Sequence, residues 1–524
     1  MAGKMTNDRR KNGTGGRWET SSRALRRRTG SGMESAIGGS VEAAQDKAPA
    51  AFKALTRYLA LASMAFSVGC SSIEEKRAEP AGAIPSGSES TPSDLVPLQL
   101  LGSLEEKGTV DNYVAHALVN NPGLKSAFAR WRAAAEKVPQ ARSLMDPALR
   151  YNYAIETGGG PPSHRVELMQ EFPFFGKLGL REEMALAEAW GAKAAYEQER
   201  VNLIRRVKEA YYEYYYLGRA IRVTGQNIEL LKLMEEVAST KFRAGEAQQD
   251  VLKAQVELEK MRNELRSLEN MRGAVAAKLN AELNRPIDTP LPWPEEVGQQ
   301  NLKYPEEQIL ELAKAASWEL RAMSFEVEKN QKMLALARRE FWPDFGLGVA
   351  YMRNRMGAGG MMVSEEGEEA IEAMVSVNLP VWRKRLYAQV GEAKASLTAA
   401  TEAKQQKENA LLSEIRFALY KYNDAVRQIR LYAETLIPKA EQALSASQAG
   451  YRAGQVDFVN VIDSERQLLT FRLAYEEALA GHQQRIAELE TMVGQPLAEP
   501  TDRAQKPSPG EGPSEPALPV TESR

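Results

Sequence analysis

Four short stretches of the chain alternate between apolar and polar residues, and long heptad-patterned runs lie between them. In the first stretch Leu149, Tyr151, Tyr153 and Ile155 alternate with Arg150, Asn152 and Ala154. In the third, Phe345, Leu347, Val349 and Tyr351 alternate with Gly346, Gly348 and Ala350. Residues 164–172 and 371–379 read as the returning strands, the latter with Ala373, Val375, Val377 and Leu379 opposite Met374, Ser376 and Asn378. A period of two with aromatic content predicts strands that are apolar on one face only.

The helical patterns differ in scale. Segments 111–142 and 306–339 are Ala- and charge-rich and end near a proline, which cannot continue a helix. Segments 178–240 and 385–449 are far longer; about 60 helical residues at ~1.5 Å each reach about 90 Å. Pro438 is expected to kink or interrupt the second. Beyond each long run, a returning helix carries a 3,4,3,4,3 seam: Val251, Ala254, Leu258, Met261, Leu265, Leu268, and again Val461, Ser464, Leu468, Phe471, Tyr475, Ala478. Sustained a/d spacing predicts helices packed side by side as coiled coils.

These elements form two copies of one unit. Ala141-Arg142 with Pro147 matches Ala337-Arg338 with Pro343, and Phe172-Pro173 with Lys177 matches Leu379-Pro380 with Lys384. Ala210, Tyr212, Tyr214, Ile221 and Arg222 match Ala418, Tyr420, Tyr422, Ile429 and Arg430. Phe242-Arg243-Ala244-Gly245 matches Tyr451-Arg452-Ala453-Gly454, the glycines supplying the positive φ of a tight helix-to-helix turn. The second copy is longer mainly between its strands, which marks a surface loop there.

One-sidedly apolar strands of this length suit a bilayer when tilted. A sheet in lipid tolerates no open edge, because each unpaired backbone group costs several kcal/mol. Four strands cannot close a barrel, the smallest natural ones having about eight. If these strands sit in a membrane, several copies must share one barrel, and three would give an even count of twelve.

Composition narrows the function. Residues 1–69 carry 12 Lys/Arg against 5 Asp/Glu, and the remaining 56 against 65, so the body is mildly acidic and nucleic-acid binding is not expected. Around Lys53 and Arg57 a basic stretch precedes the apolar run Tyr58 to Val68 and then Gly69-Cys70, the pattern of an export signal too short to span a bilayer. Two readings stand: a lipoprotein signal in which Cys70 becomes the acylated first residue, or a conventional signal with an incidental cysteine. Residues 1–52 fit no tidy leader and read best as an over-long gene start, with Met33 as a candidate true start. The expected divisions are a leader over 1–69, a tether over 70–104, a first repeat over 105–290, a second over 291–497 and a disordered tail over 498–524.

Catalytic chemistry is not expected. Gly176-Lys177 lacks the glycine and the Ser/Thr of a phosphate-binding loop, and neither a zincin motif nor a nucleophile elbow occurs. His116, His164 and His482 have no partners at metal-ligand spacing, one cysteine permits no intrachain disulfide, and no cofactor is implied. Tyr211 to Tyr216 reads as a packed aromatic band. Met352, Met356, Met361, Met362 and Met374 read as apolar filler before soft-metal ligands. Glu365, Glu366, Glu368 and Glu369 read as a solvated loop.

The export signal, the duplicated helix–strand–strand–long helix–turn–helix unit, Phe172-Pro173-Phe174-Phe175-Gly176-Lys177 and the Arg-Ala-Gly tips together resemble the TolC family over about residues 105–497. The Phe-Gly-Lys junction and Gly245 to Asp250 look most like its heavy-metal efflux (CzcC-like) branch. The resemblance implies a mainly α fold with a small β part: a homotrimer in the outer membrane of a Gram-negative bacterium, with a shared β-barrel and an α-helical barrel in the periplasm. It also implies a periplasmic adaptor and an inner-membrane pump that drives a passive duct. In the family an acidic ring narrows the entrance at the tips. Motif alignment puts Asp463 on one ring position, Asn460 where a second aspartate is usual, and Asp250 on the first-copy position. A helix-solvating role for Asp463 remains the alternative. The turns around Arg243 and Gly245, and around Tyr451, Arg452 and Gly454, are the expected adaptor contacts. A coiled-coil scaffold without a channel, and a secretion duct for polypeptides, remain alternative functions. One-sided strands argue against the scaffold.

Overall fold

The computed structural model describes residues 108–154, 163–245, 248–354 and 368–498. The leader, Cys70, the tether, the tail beyond Ala498, Ile155, Met356, Met361, Met362, Glu365 and Glu366 lie outside the described residues, while Ala498 itself pairs with Leu302.

Each expected opening helical segment is two helices. The first copy has α1 (Val110–Asn120) and α2 (Pro122–Arg142); the second has α5 (Glu306–Ala316) and α6 (Trp318–Arg339). Pro122 cannot donate a backbone N–H and drives Asn121 into extended backbone, where the Asn121 side chain accepts the Leu124 N–H at 3.1 Å. Ser317 makes the equivalent break without a proline, its hydroxyl accepting the Leu320 N–H at 3.5 Å.

The strands are β1 (Ala148–Ala154), β2 (Ser163–Phe172), β3 (Asp344–Asn354) and β4 (Glu368–Asn378), an antiparallel meander in chain order. Register puts Leu149, Leu168 and Val349 in one row and Tyr151, Val166, Tyr351 and Ile371 in the next. Leu149 and Ile371 are more than 70% exposed on this face. The opposite face carries ion pairs: Glu167 lies 3.7 Å from Arg150 and 3.8 Å from Arg165, which lies 3.6 Å from Glu372. The outer strands β1 and β4 have no neighbour within the chain among the described residues.

Between the strands and the far end of the molecule run α3 (Lys177–Arg243) and its return α4 (Gln248–Glu282). With 67 residues, α3 is about 100 Å long. The second copy has α7 (Arg383–Leu431), a π-helical turn over Tyr432–Leu436, α8 (Ile437–Arg452) and the return α9 (Phe458–Val493). The interruption expected at Pro438 is this π turn; Pro438 itself sits in the first turn of α8, where a missing N–H costs little.

Three apolar clusters hold the helices together. The seam residues Ala254, Leu258, Val461 and Leu468 are buried in the one nearest the helix turns. At mid-length Tyr211, Tyr212, Tyr214 and Tyr215 are buried, each with its hydroxyl bonded, as Tyr211 to the Gly108 carbonyl at 2.7 Å. The tyrosine run is thus a packed band, as expected. A third cluster packs Ile309 and Leu320 with Ile415, Leu419 and Leu489. None of the described helices is long and apolar enough to cross a membrane.

Candidate functional site

The two helix turns are built alike. Gly245 has φ 104° and Gly454 φ 72°, and a Cβ at either would meet open space, so backbone conformation selects glycine there. At the second turn Gly454 N–H donates to Tyr451 O (3.1 Å) and Gln455 N–H to Gly450 O (2.8 Å), which satisfies the last carbonyls of α8. Arg243 and Arg452 are exposed at the ends of α3 and α8.

Tyr451 joins the two turns. Its buried ring packs on Phe458 at 5.1 Å between centroids, and the Lys241 ammonium lies 4.4 Å from its centroid. Its hydroxyl donates to Asp250 Oδ2 at 3.1 Å. Asp250 is therefore engaged with the second copy's turn. Asn460 and Asp463, three residues apart on α9, share an exposed face beside the tip, and Arg466 lies 3.6 Å from Asp463. The structure thus brings Asn460 and Asp463 together, while the Asp250 carboxylate is taken up by the Tyr451 hydroxyl.

Further along the same helices lies a group of residues that sequence reasoning missed. Glu257 of α4 and Glu465 of α9 are both almost fully buried. Arg466 donates to Glu257 Oε1 at 2.9 Å and holds that carboxyl below its usual range. Glu465 accepts from Asn227 of α3, but its Oε2 has no hydrogen-bond partner among the described residues. Burial, with the Glu257 charge beside it, pushes Glu465 up to about 7. The available signal was an acid in the stripe Phe458, Ile462, Glu465, where the first two positions are apolar.

Among the described residues no group of three or more His, Cys, Asp or Glu could hold a metal ion. His164 is bonded to the Tyr151 hydroxyl at 2.8 Å on the sheet, and His482 is fully buried beside Tyr422. Met352 and Met374 lie on the ion-paired face of the sheet, Met374 sulfur 3.4 Å from Arg165.

A family model for outer membrane efflux proteins matches residues 114–285 and 309–495. Nodulation protein T of Rhizobium leguminosarum bv. viciae is 24% identical over 400 residues, covering 71% of this chain and 79% of its own. The solved outer membrane protein VceC of Vibrio cholerae has a TM-score of 0.63 at 19% identity, covering 74% of this chain and 96% of that one. The CmeC outer membrane channel of Campylobacter jejuni has a TM-score of 0.63 at 16% identity, covering 80% and 91%. CusC, whose solved structures follow its folding and transmembrane channel formation, has a TM-score of 0.65 at 16% identity, covering 80% and 99%. These likenesses carry the fold. The chain belongs to the outer membrane efflux protein family.

Proposed function

We propose that the chain is one of three protomers of a passive outer-membrane duct whose helices extend into the periplasm, where an adaptor and an inner-membrane pump complete an efflux system. It exports small molecules or metal cations and catalyses no reaction. The observation that carries this reading is the sheet: one face exposes Leu149, Tyr151 and Ile371, the other is ion-paired, and both edges are open among the described residues. Lipid on one side and water on the other explain the two faces. Closure with further copies explains the edges.

In this reading Asp463, repeated by threefold symmetry beside Asn460, lines the entrance and favours cations. The turns bearing Arg243, Gly245, Tyr451, Arg452 and Gly454 receive the adaptor. A groove of about 470 Å³ lined by Leu233, Val237, Tyr451 and Arg452 offers helices of the partner an apolar seat there. Residues 105–290 and 291–497 are the two repeats, residues 1–69 the leader, 70–104 a tether and 498–524 a tail. Cys70 is the point of lipid attachment. Purified chain added to planar bilayers is expected to give discrete ion conductance. A chain that binds its adaptor yet never conducts would favour the scaffold reading.

A further inference from the structure

The joint between sheet and long helices is made once within the chain. Lys177 opens α3 and is only 1% exposed. Its ammonium donates to Asp344 Oδ1 at 2.9 Å, to Glu340 Oε2 at 3.4 Å and to the Trp342 carbonyl at 3.2 Å. Phe174 N–H donates to the same Asp344 oxygen at 2.7 Å, and the Phe174 ring stacks on Trp342 with centroids 5.1 Å apart. The Arg339 guanidinium donates to the Phe175 carbonyl. The start of the first copy's long helix is thereby fastened to the α6–β3 corner of the second. A buried ammonium is tolerable only with such partners.

Duplication supplies a second set of the same parts. Lys384 stands four residues after Pro380, as Lys177 does after Pro173. The α2–β1 corner, Ser143 to Ala148, is the copy of the corner from Arg339 to Asp344. Within one chain these parts lie at opposite edges of the sheet, because β4 and β1 are its outer strands. Lys384 and Asp146 are accordingly exposed. Apolar side chains beside them are exposed too: Leu144 and Met145 at one edge, Leu379, Val381 and Trp382 at the other.

We propose that Lys384 forms an ion pair with Asp146 of the neighbouring copy, making between chains the latch that Lys177 makes within one. Barrel closure sets β4 of one copy beside β1 of the next, as β2 lies beside β3. Carrying the observed Phe172–Phe345 pairing through the repeat aligns Leu379 with Leu149 of the next chain, both on the apolar face. The acids Glu340 and Asp344 have Leu144 and Ala148 as their copies, and Trp342, which Lys177 meets through its main-chain carbonyl, has Asp146, so Asp146 is the one carboxylate the copied corner offers. Val381 and Trp382 then cover Leu144 and Met145. Ser143 replaces Arg339, and one acid replaces two, so the latch between chains is the weaker of the two.

The latch presupposes the three-copy barrel proposed for the chain. Its test is the temperature at which detergent-resistant trimers dissociate, measured for wild type, Lys384→Asp, Asp146→Lys and the double exchange. Both positions are exposed, so the protomer's own fold is not at stake. Each single exchange is expected to lower that temperature by several degrees and the double exchange to restore most of the loss. A double variant no more resistant than the weaker single overturns the latch alone. A wild-type chain that is monomeric in mild detergent overturns the barrel and the latch together.

Discussion

Glu465 and His482 are titratable groups placed where water does not follow, and they bend stability with pH in opposite directions. Glu465 is raised from its unfolded value to about 7 by burial and by Glu257. The folded state holds its proton more tightly, so its contribution is complete below the unfolded value near 4.5 and is lost as pH rises through 7. The loss is on the order of 3 kcal/mol. Arg466, paired with Glu257, and Lys260, 3.5 Å from Glu257, face the same spot, and Arg466 partly offsets the repulsion. Glu465→Gln is expected to raise the unfolding temperature at pH 8 and to flatten the profile between about pH 4.5 and 7; an unchanged profile would contradict the burial argument. His482 works the other way. Burial lowers it to about 4, and neither ring nitrogen has a hydrogen-bond partner among the described residues. Below its unfolded value near 6.5 the unfolded chain takes up a proton that the folded one refuses, so stability falls with acid until about pH 4. The two slopes oppose each other between about pH 4.5 and 6.5. His482→Leu in a Glu465→Gln background is therefore expected to abolish the acid-side fall that Glu465→Gln alone leaves visible. At the exposed tip, Asp463→Ala is expected to lower the cation selectivity of the reconstituted channel, read as a shift in reversal potential; an unshifted potential returns Asp463 to ordinary helix solvation.

Local pattern determines some elements here and neighbours determine others. The strands are legible because alternation such as Leu149, Tyr151, Tyr153 needs no partner to be recognised, and the turns because Gly245 and Gly454 occupy a backbone region that excludes other residues. The break at Ser317 is not, since the helical pattern continues through it and the cap is a single hydroxyl; at Asn121 the signal is Pro122, which disfavours helix for the residue before it. The π turn carries no signature of its own, and only the nearby Pro438 announces it. Glu257 and Glu465 are invisible as a pair because their proximity depends on which faces of α4 and α9 meet α3. Lys177 reads in the sequence as a repeat landmark; its burial follows from contact with a corner more than 160 residues away. Lys177→Met is expected to destabilise the protomer by about 3–5 kcal/mol, because it leaves Asp344 and Glu340 without their cation. A denaturant midpoint equal to wild type would show that the joint is held by Phe174 and Trp342 alone. Reversing charge at Arg243 and Arg452 together is expected to weaken cross-linking to the adaptor; wild-type cross-linking would leave these arginines as turn residues only.

A single copy of the chain is an unfinished object at every level. Among the described residues its sheet ends on two open strands, and its long helices carry outward apolar residues such as Leu252, Val256, Phe417 and Tyr420. Exposure on that scale marks surfaces meant for partners. The duplication explains how one polypeptide serves a ring: each repeat contributes two strands and a helical hairpin, and three chains supply six such units. That arithmetic is accessible from the sequence, since one-sided strands in lipid require closure and four strands cannot close. The cargo is not accessible, because a passive conduit grips nothing firmly enough to leave a dedicated set of ligands.

The mass of the detergent-solubilised protein, measured by light scattering with the detergent contribution subtracted, addresses the closure argument directly. Three chains per particle is the predicted result. A particle holding one chain would leave the greasy face of the sheet without a closed barrel, and the account of a shared pore would be wrong.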